Sequence, residues 1–119
     1  YKNMELQQRH SALNILVYRP LGSMKRIDLD WLYGWDIIQQ LMERHPEWTF
    51  RVADGTKDNI WQDINVLLRP NRHDGLSRMV LEAQALHIPV IWSYETGKYV
   101  EPNIEDIERR LIESEKSIC

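Results

Sequence analysis

The chain has one cysteine, Cys119, so neither a disulfide framework nor a cysteine metal cluster can be built, and a reducing compartment suits it. It has no apolar run approaching the roughly 18 residues that a membrane-spanning helix needs. It also has no leader with a charged start and an apolar middle, so the expected location is the cytoplasm. Lys and Arg number 15 against 18 Asp and Glu, a formal net charge of −3, which does not supply the basic face of a general nucleic-acid binder. His10, His45, His73 and His87 show no metal-ligand spacing, and no Walker, GxGxxG or Ser-His-Asp pattern appears. Internal repeats and low-complexity segments are lacking too. What remains is 119 residues, 43% hydrophobic and 28% charged, the values of one globular domain with a modest core. The five tryptophans read as core and edge packing. The chain opens on Tyr1 rather than Met, as a piece of a longer protein would.

Residues 1–12 are polar and mixed, and read as a linker or a short leading helix before a domain over 13–119. Ile15-Leu16-Val17-Tyr18 is a short apolar run stopped by Pro20, the pattern of a strand buried on both faces. Gly22 and Ser23 fall in the loop that follows. Asp28 or Asp30 can cap a helix carrying Leu32, Trp35, Ile38 and Met42, which Pro46 ends. Trp48 to Ala53 reads as the next strand, stopped by Asp54-Gly55. Residues 56–64 have room for one helical turn or a short helix. Asn65 to Arg69 is a third strand, Gly75 to Leu86 a helix, Pro89 to Trp92 a fourth strand, and Glu95 to Pro102 a loop. Ile104, Ile107, Leu111 and Ile112 then mark a terminal amphipathic helix. The order β-α-β-(short)-β-α-β-α predicts an α/β fold, a small Rossmann-like parallel sheet of about four strands between helices.

Two strands finish alike, Val17-Tyr18-Arg19-Pro20 and Leu67-Leu68-Arg69-Pro70. In a parallel sheet both arginines emerge at the carboxyl edge, where open α/β sheets bind ligands. Lys25, Arg72, His73 and Arg78 belong to the same mouth, and an acidic protein that gathers cations at one place is suited to receive an anion there. The first turn of the helix after Gly75 offers N–H groups and a positive dipole end for phosphate. Gly75 lets backbone come close without a side chain in the way. Asp74 has two readings, helix N-cap or chemical group. Glu82 also has two, a surface ion pair with Arg78 or a carboxylate accepting a pair of sugar hydroxyls.

The run RPNRHDGLSRMVLEAQALHIPVI resembles the donor-binding half of the retaining GT-B glycosyltransferases. Their signature is an acid, Gly, six residues, Glu, Ala-x-Ala and then Pro-Val. Here those positions are Asp74-Gly75, Glu82-Ala83-Gln84-Ala85 and Pro89-Val90. Weaker likeness covers most of the chain, with Arg19 and Lys25 near the family's phosphate-binding Arg and Lys, and Phe50 to Gly55 near its second strand. The resemblance implies a hexosyltransferase domain that takes a nucleotide-diphosphate sugar as donor and needs no metal or other cofactor. By that resemblance Glu82 holds the ribose hydroxyls, and Arg19 and Lys25 neutralise the leaving diphosphate. The N–H groups of Gly75, Leu76 and Ser77 add to the cradle, with Arg69 and His73 at the same site and Asp74 beside the transferred sugar.

Two functions follow, of different classes. One is the donor half of a retaining glycosyltransferase, active when an N-terminal acceptor-binding domain is joined on the same chain or as a partner. The other is a non-catalytic module built on that fold, binding a nucleotide sugar or pairing with another protein.

Overall fold

The computed structural model describes residues 13–19, 27–53, 60–72 and 77–118. Its centre is a four-stranded, all-parallel sheet in the order β2-β1-β3-β4. The strands are β1 (Asn14–Tyr18), β2 (Thr49–Ala53), β3 (Val66–Arg69) and β4 (Val90–Trp92). The two inner strands have the longest unbroken apolar runs, because covered strands in a parallel sheet face no water on either side. Ile15, Leu16 and Val17 of β1 and Val66, Leu67 and Leu68 of β3 are all fully buried. Alternation then divides these side chains between two layers. Ile15, Val17, Val66, Leu68 and Ile91 face a larger core, and Leu16, Leu67 and Ala53 a smaller one.

The larger core is closed by α2 (Trp35–Arg44) and α4 (Ile104–Ile118). Trp35, Ile38 and Leu41 recur at the three- and four-residue spacing that puts them on one helix face, and Ile107 and Leu111 do the same from α4. The smaller core is closed by α3 (Arg78–Ala85) through Val80 and Ala83, with Ile64 beneath the turn at 60–63. The result is a three-layer α/β/α domain. Trp35 and Trp48 are core residues and Trp61 and Trp92 pack at its margin, while Trp31 stands 56% exposed. Among the described residues no helix is long and apolar enough to cross a membrane.

The expected single helix from Asp28 or Asp30, ended by Pro46, is in fact two, α1 (Ile27–Leu32) and α2, broken at Tyr33-Gly34. Asp30 lies inside α1 rather than capping it. The cause is Gly34, whose φ of 74° is left-handed and whose missing Cβ makes room for Pro70 at the end of β3. The sequence boundaries move inward elsewhere, to Thr49, Val66 and Val90 at the strand starts. Of the 56–64 stretch, residues 60–63 form a turn. The largest shift is in α3, expected over Gly75 to Leu86 and found over Arg78–Ala85.

At the far edge of the sheet α2 is tied to α4 through His45. Its ring stacks on Trp48 at 3.8 Å, with Nε2 2.6 Å from Glu108 and Nδ1 3.1 Å from Glu47. Both nitrogens can donate together only in the imidazolium. Burial opposes the charged ring, yet the hydrogen bonds to Glu108 and Glu47 outweigh it and hold the pKa above the ordinary 6.5. Hydrogen bonding from His45 also lowers Glu108 below its ordinary 4.5. A raised histidine contributes stability that is complete below pH 6.5 and is lost as pH climbs through the folded value. A lowered carboxylate contributes in full above 4.5 and fails as pH falls through its own folded value. The advantage in melting temperature over His45→Gln should therefore be greatest between those limits and shrink as pH passes the folded value of His45 above them or that of Glu108 below them. A pH-independent difference would show that stacking on Trp48, and not charge, carries the contact.

Candidate functional site

After β1 the chain passes to the α2 side of the sheet, and after β3 it passes to the α3 side. Strand order reverses between these two neighbours, and such a reversal opens a crevice at the carboxyl ends where open α/β sheets take ligands. The register Ile15–Val66 and Leu16–Leu67 sets Tyr18 beside Arg69 and the following Arg19 beside Pro70. Both arginines thus stand at the carboxyl ends of neighbouring strands.

Their surroundings differ. Arg19 donates from Nε and Nη2 to both oxygens of Asp30, at 3.1 and 2.7 Å, with its guanidinium 4.9 Å from the Trp35 ring. Trp35 in turn donates its indole N–H to the Tyr18 carbonyl at 3.0 Å, so α1 and α2 jointly hold Arg19 against the end of β1. Two of its five N–H donors meet Asp30, and among the described residues the other three face no acceptor. Arg69 is only 6% exposed, 5.6 Å from the Tyr18 ring and 3.5 Å from Met79 Sδ. It is a buried cation fixed under the crevice rather than a mobile one at its rim.

Arg72, expected among the cations of the mouth, is committed to the protein. It makes paired bonds of 2.8 and 2.9 Å to Asp36, donates to the Trp31 carbonyl at 2.6 Å and approaches Glu101 at 3.5 Å. The bond from Arg72 holds the Asp36 carboxyl below its usual value, and Asp36 raises Arg72 in return. Arg72 therefore staples α2 and the 93–103 loop to the exit of β3. The bare indole of Trp31 lies over its guanidinium at 4.6 Å.

The helix of the Asp-Gly motif is capped by Ser77, not Asp74. Ser77 Oγ accepts from Val80 N at 3.2 Å, and Ser77 is 6% exposed. The free N–H groups of this terminus begin at Arg78. A Ser immediately before the first periodic residue is itself a helix-start signal. Glu82 is exposed on α3 and accepts the Trp61 indole N–H at 3.0 Å; among the described residues it makes no pair with Arg78. Of the candidate site residues Arg19, Arg69, Ser77 and Glu82 are described, whereas Lys25, His73, Asp74, Gly75 and Leu76 lie outside the described residues.

One feature of this edge had no signal in the sequence. Beyond β4 a cavity of about 400 Å³ opens between Pro70, Ile91, the 93–103 loop and the start of α4. It is assembled from segments far apart in the chain, and no local pattern announces it. Comparison with protein-family models, curated proteins and solved structures finds no match to this chain.

Proposed function

We propose that the chain is the nucleotide-sugar-binding part of a retaining GT-B glycosyltransferase, which transfers a sugar when joined to an acceptor-binding domain. The observation that carries this reading is the pair Arg19 and Arg69 at neighbouring strand ends where the strand order reverses. Arg19, with the buried positive charge of Arg69 beneath it, suits a diphosphate, because charge-assisted bonds to phosphate are short, strong and often paired. In this reading Arg19 and Lys25 stabilise the charge that develops on the leaving diphosphate, a role that grows toward the transition state. Asp74 stands by the transferred sugar, Glu82 accepts the ribose hydroxyls, and Gly75, Leu76, Ser77 and His73 line the donor path.

Calorimetric titration with UDP-, GDP-, ADP- and TDP-sugars tests the reading, beside the Glu82→Ala variant. The variant should weaken binding of the preferred donor about tenfold or more, the worth of hydrogen bonds to a charged group. Its stability should change by less than about 1 kcal/mol, since Glu82 is exposed and accepts one bond from Trp61. Unchanged affinity would remove Glu82 from the site, and a large fall in melting temperature would make it structural.

The second reading, a non-catalytic binding or interaction module, is favoured by one specific observation. Arg19 and Glu82 both have protein partners, Asp30 and Trp61, that a ligand must share or displace. Absence of binding to every donor at millimolar concentration would favour it.

A further inference from the structure

The sheet has two outer strands, and only one of them is guarded. An open strand edge invites pairing with another chain, so natural edges are kept short, carry proline or charge, or are covered. Strand β4 follows that rule. It is three residues long, it is entered through Pro89, and its Trp92 N–H is taken by the Glu95 carboxylate at 3.2 Å. Strand β2 does not. It runs for five residues in unbroken register with β1, without proline, lysine or bulge. Its one charge, Arg51, is drawn back to its own chain, donating from Nη1 to the carbonyls of Ile60 and Gln62.

The ladder identifies the open groups. Thr49 N–H donates to the Leu13 carbonyl at 3.1 Å, and Arg19 N–H donates to the Ala53 carbonyl at 2.9 Å. A parallel pair uses alternate residues of a strand, so Thr49, Arg51 and Ala53 face β1, while Phe50 and Val52 turn N–H and C=O outward. Among the described residues nothing bonds to these four groups. The side chains of Phe50 and Val52 share one face of the sheet. Phe50 packs against the larger core there, and Val52 is left 46% exposed.

We infer that β2 is a docking edge for a second copy of this chain, whose own β2 pairs with it in the antiparallel sense across a two-fold axis. Self-complementarity identifies the occupant, since a two-fold contact requires one surface to fit itself. With the axis at Arg51, Phe50 of each copy lies opposite Val52 of the other, in a pair that exchanges both N–H···O bonds. The four outward groups of one copy thus meet the four of the other. On the same face each exposed Val52 is covered by an aromatic ring, a favourable cross-strand pair. The four-stranded sheets of the two copies become one continuous sheet. On the opposite face the two Arg51 side chains meet as like charges, which together with the small contact keeps the association weak. The inference is independent of the nucleotide-sugar reading, because β2 lies across β1 from the crevice.

Sedimentation equilibrium of the full chain up to millimolar concentration, with amide exchange followed residue by residue, tests this. A monomer–dimer equilibrium is expected. The Phe50 and Val52 amides should gain about tenfold or more in protection as the dimer fills, while the inward Arg51 amide is protected throughout. Val52→Pro removes one outward N–H and leaves the bonds to β1 in place, a position where edge strands accept proline, and it should abolish the dimer. Val52→Lys, the second variant should the first fold poorly, places a guarding charge on the edge and should weaken association about tenfold or more. A chain that stays monomeric at every concentration would overturn the inference and leave the edge to a strand from a different protein. A dimer that persists in both folded variants, or one that forms without slowing exchange at Phe50 and Val52, would overturn it as well.

Discussion

Gly34→Ala should destabilise the domain by about 2–5 kcal/mol, a large fraction of the 5–15 kcal/mol by which domains are usually stable. Two costs add. A left-handed backbone with a Cβ costs roughly 1–2 kcal/mol, and at φ 74° Gly34 is in that region. Forcing atoms into packed space costs about 1–3 kcal/mol more. The new methyl would press into the Pro70 carbonyl oxygen and lie 2.6 Å from its Cγ. Gly97 supplies the control, having a φ of 87° with nothing within 4 Å of its absent Cβ. Urea denaturation of Gly34→Ala and Gly97→Ala separates the two costs. Equal losses would mean that the contact with Pro70 relaxes without strain.

The other large effect concerns ligand affinity. Arg19→Ala should lower nucleotide-sugar affinity roughly 10- to 100-fold, as expected for losing hydrogen bonds from a charged group. Asp30→Asn should raise it, because the carboxylate on Arg19 competes with any incoming phosphate. The two substitutions break one and the same ion pair, in which both side chains are partly exposed. Pairs of that kind contribute little, so the stability losses should be similar and at most about 1 kcal/mol. Opposite changes in affinity against similar changes in stability are the signature sought by titration and thermal melting. Loss of affinity in both variants would mean that the intact pair, rather than Arg19 alone, shapes the crevice.

Much of this arrangement was legible in the sequence because its determinants are local. The buried strands announce themselves as Ile15-Leu16-Val17 and Val66-Leu67-Leu68, and alternating strands with helices imply a parallel sheet. The arginine pair was legible as well, since a strand's direction fixes where its last residue emerges. What escaped depends on contacts between distant segments. Gly34 reads as an ordinary helical residue until Pro70 is seen against it. Arg72 reads as a free cation until Asp36 and Glu101 close on it. The cap at Ser77 was missed because the Asp-Gly turn just before it is itself a conspicuous helix-start signal. Trp61 as partner of Glu82, and the cavity beyond β4, carry no sequence pattern at all.

The strand order β2-β1-β3-β4 also fixes an order in time. The central strand is synthesised before either of its neighbours, and Ile15 finds Phe50 on one side and Val66 on the other only after long loops have closed. Pairings so distant along the chain slow folding, because loop entropy is lost before the contact forms. Until β3 has left the ribosome, the most apolar stretch of the molecule has an open edge that can template pairing with another chain. On the ribosome, then, this domain is most exposed to aggregation through the strand that is best protected once it has folded.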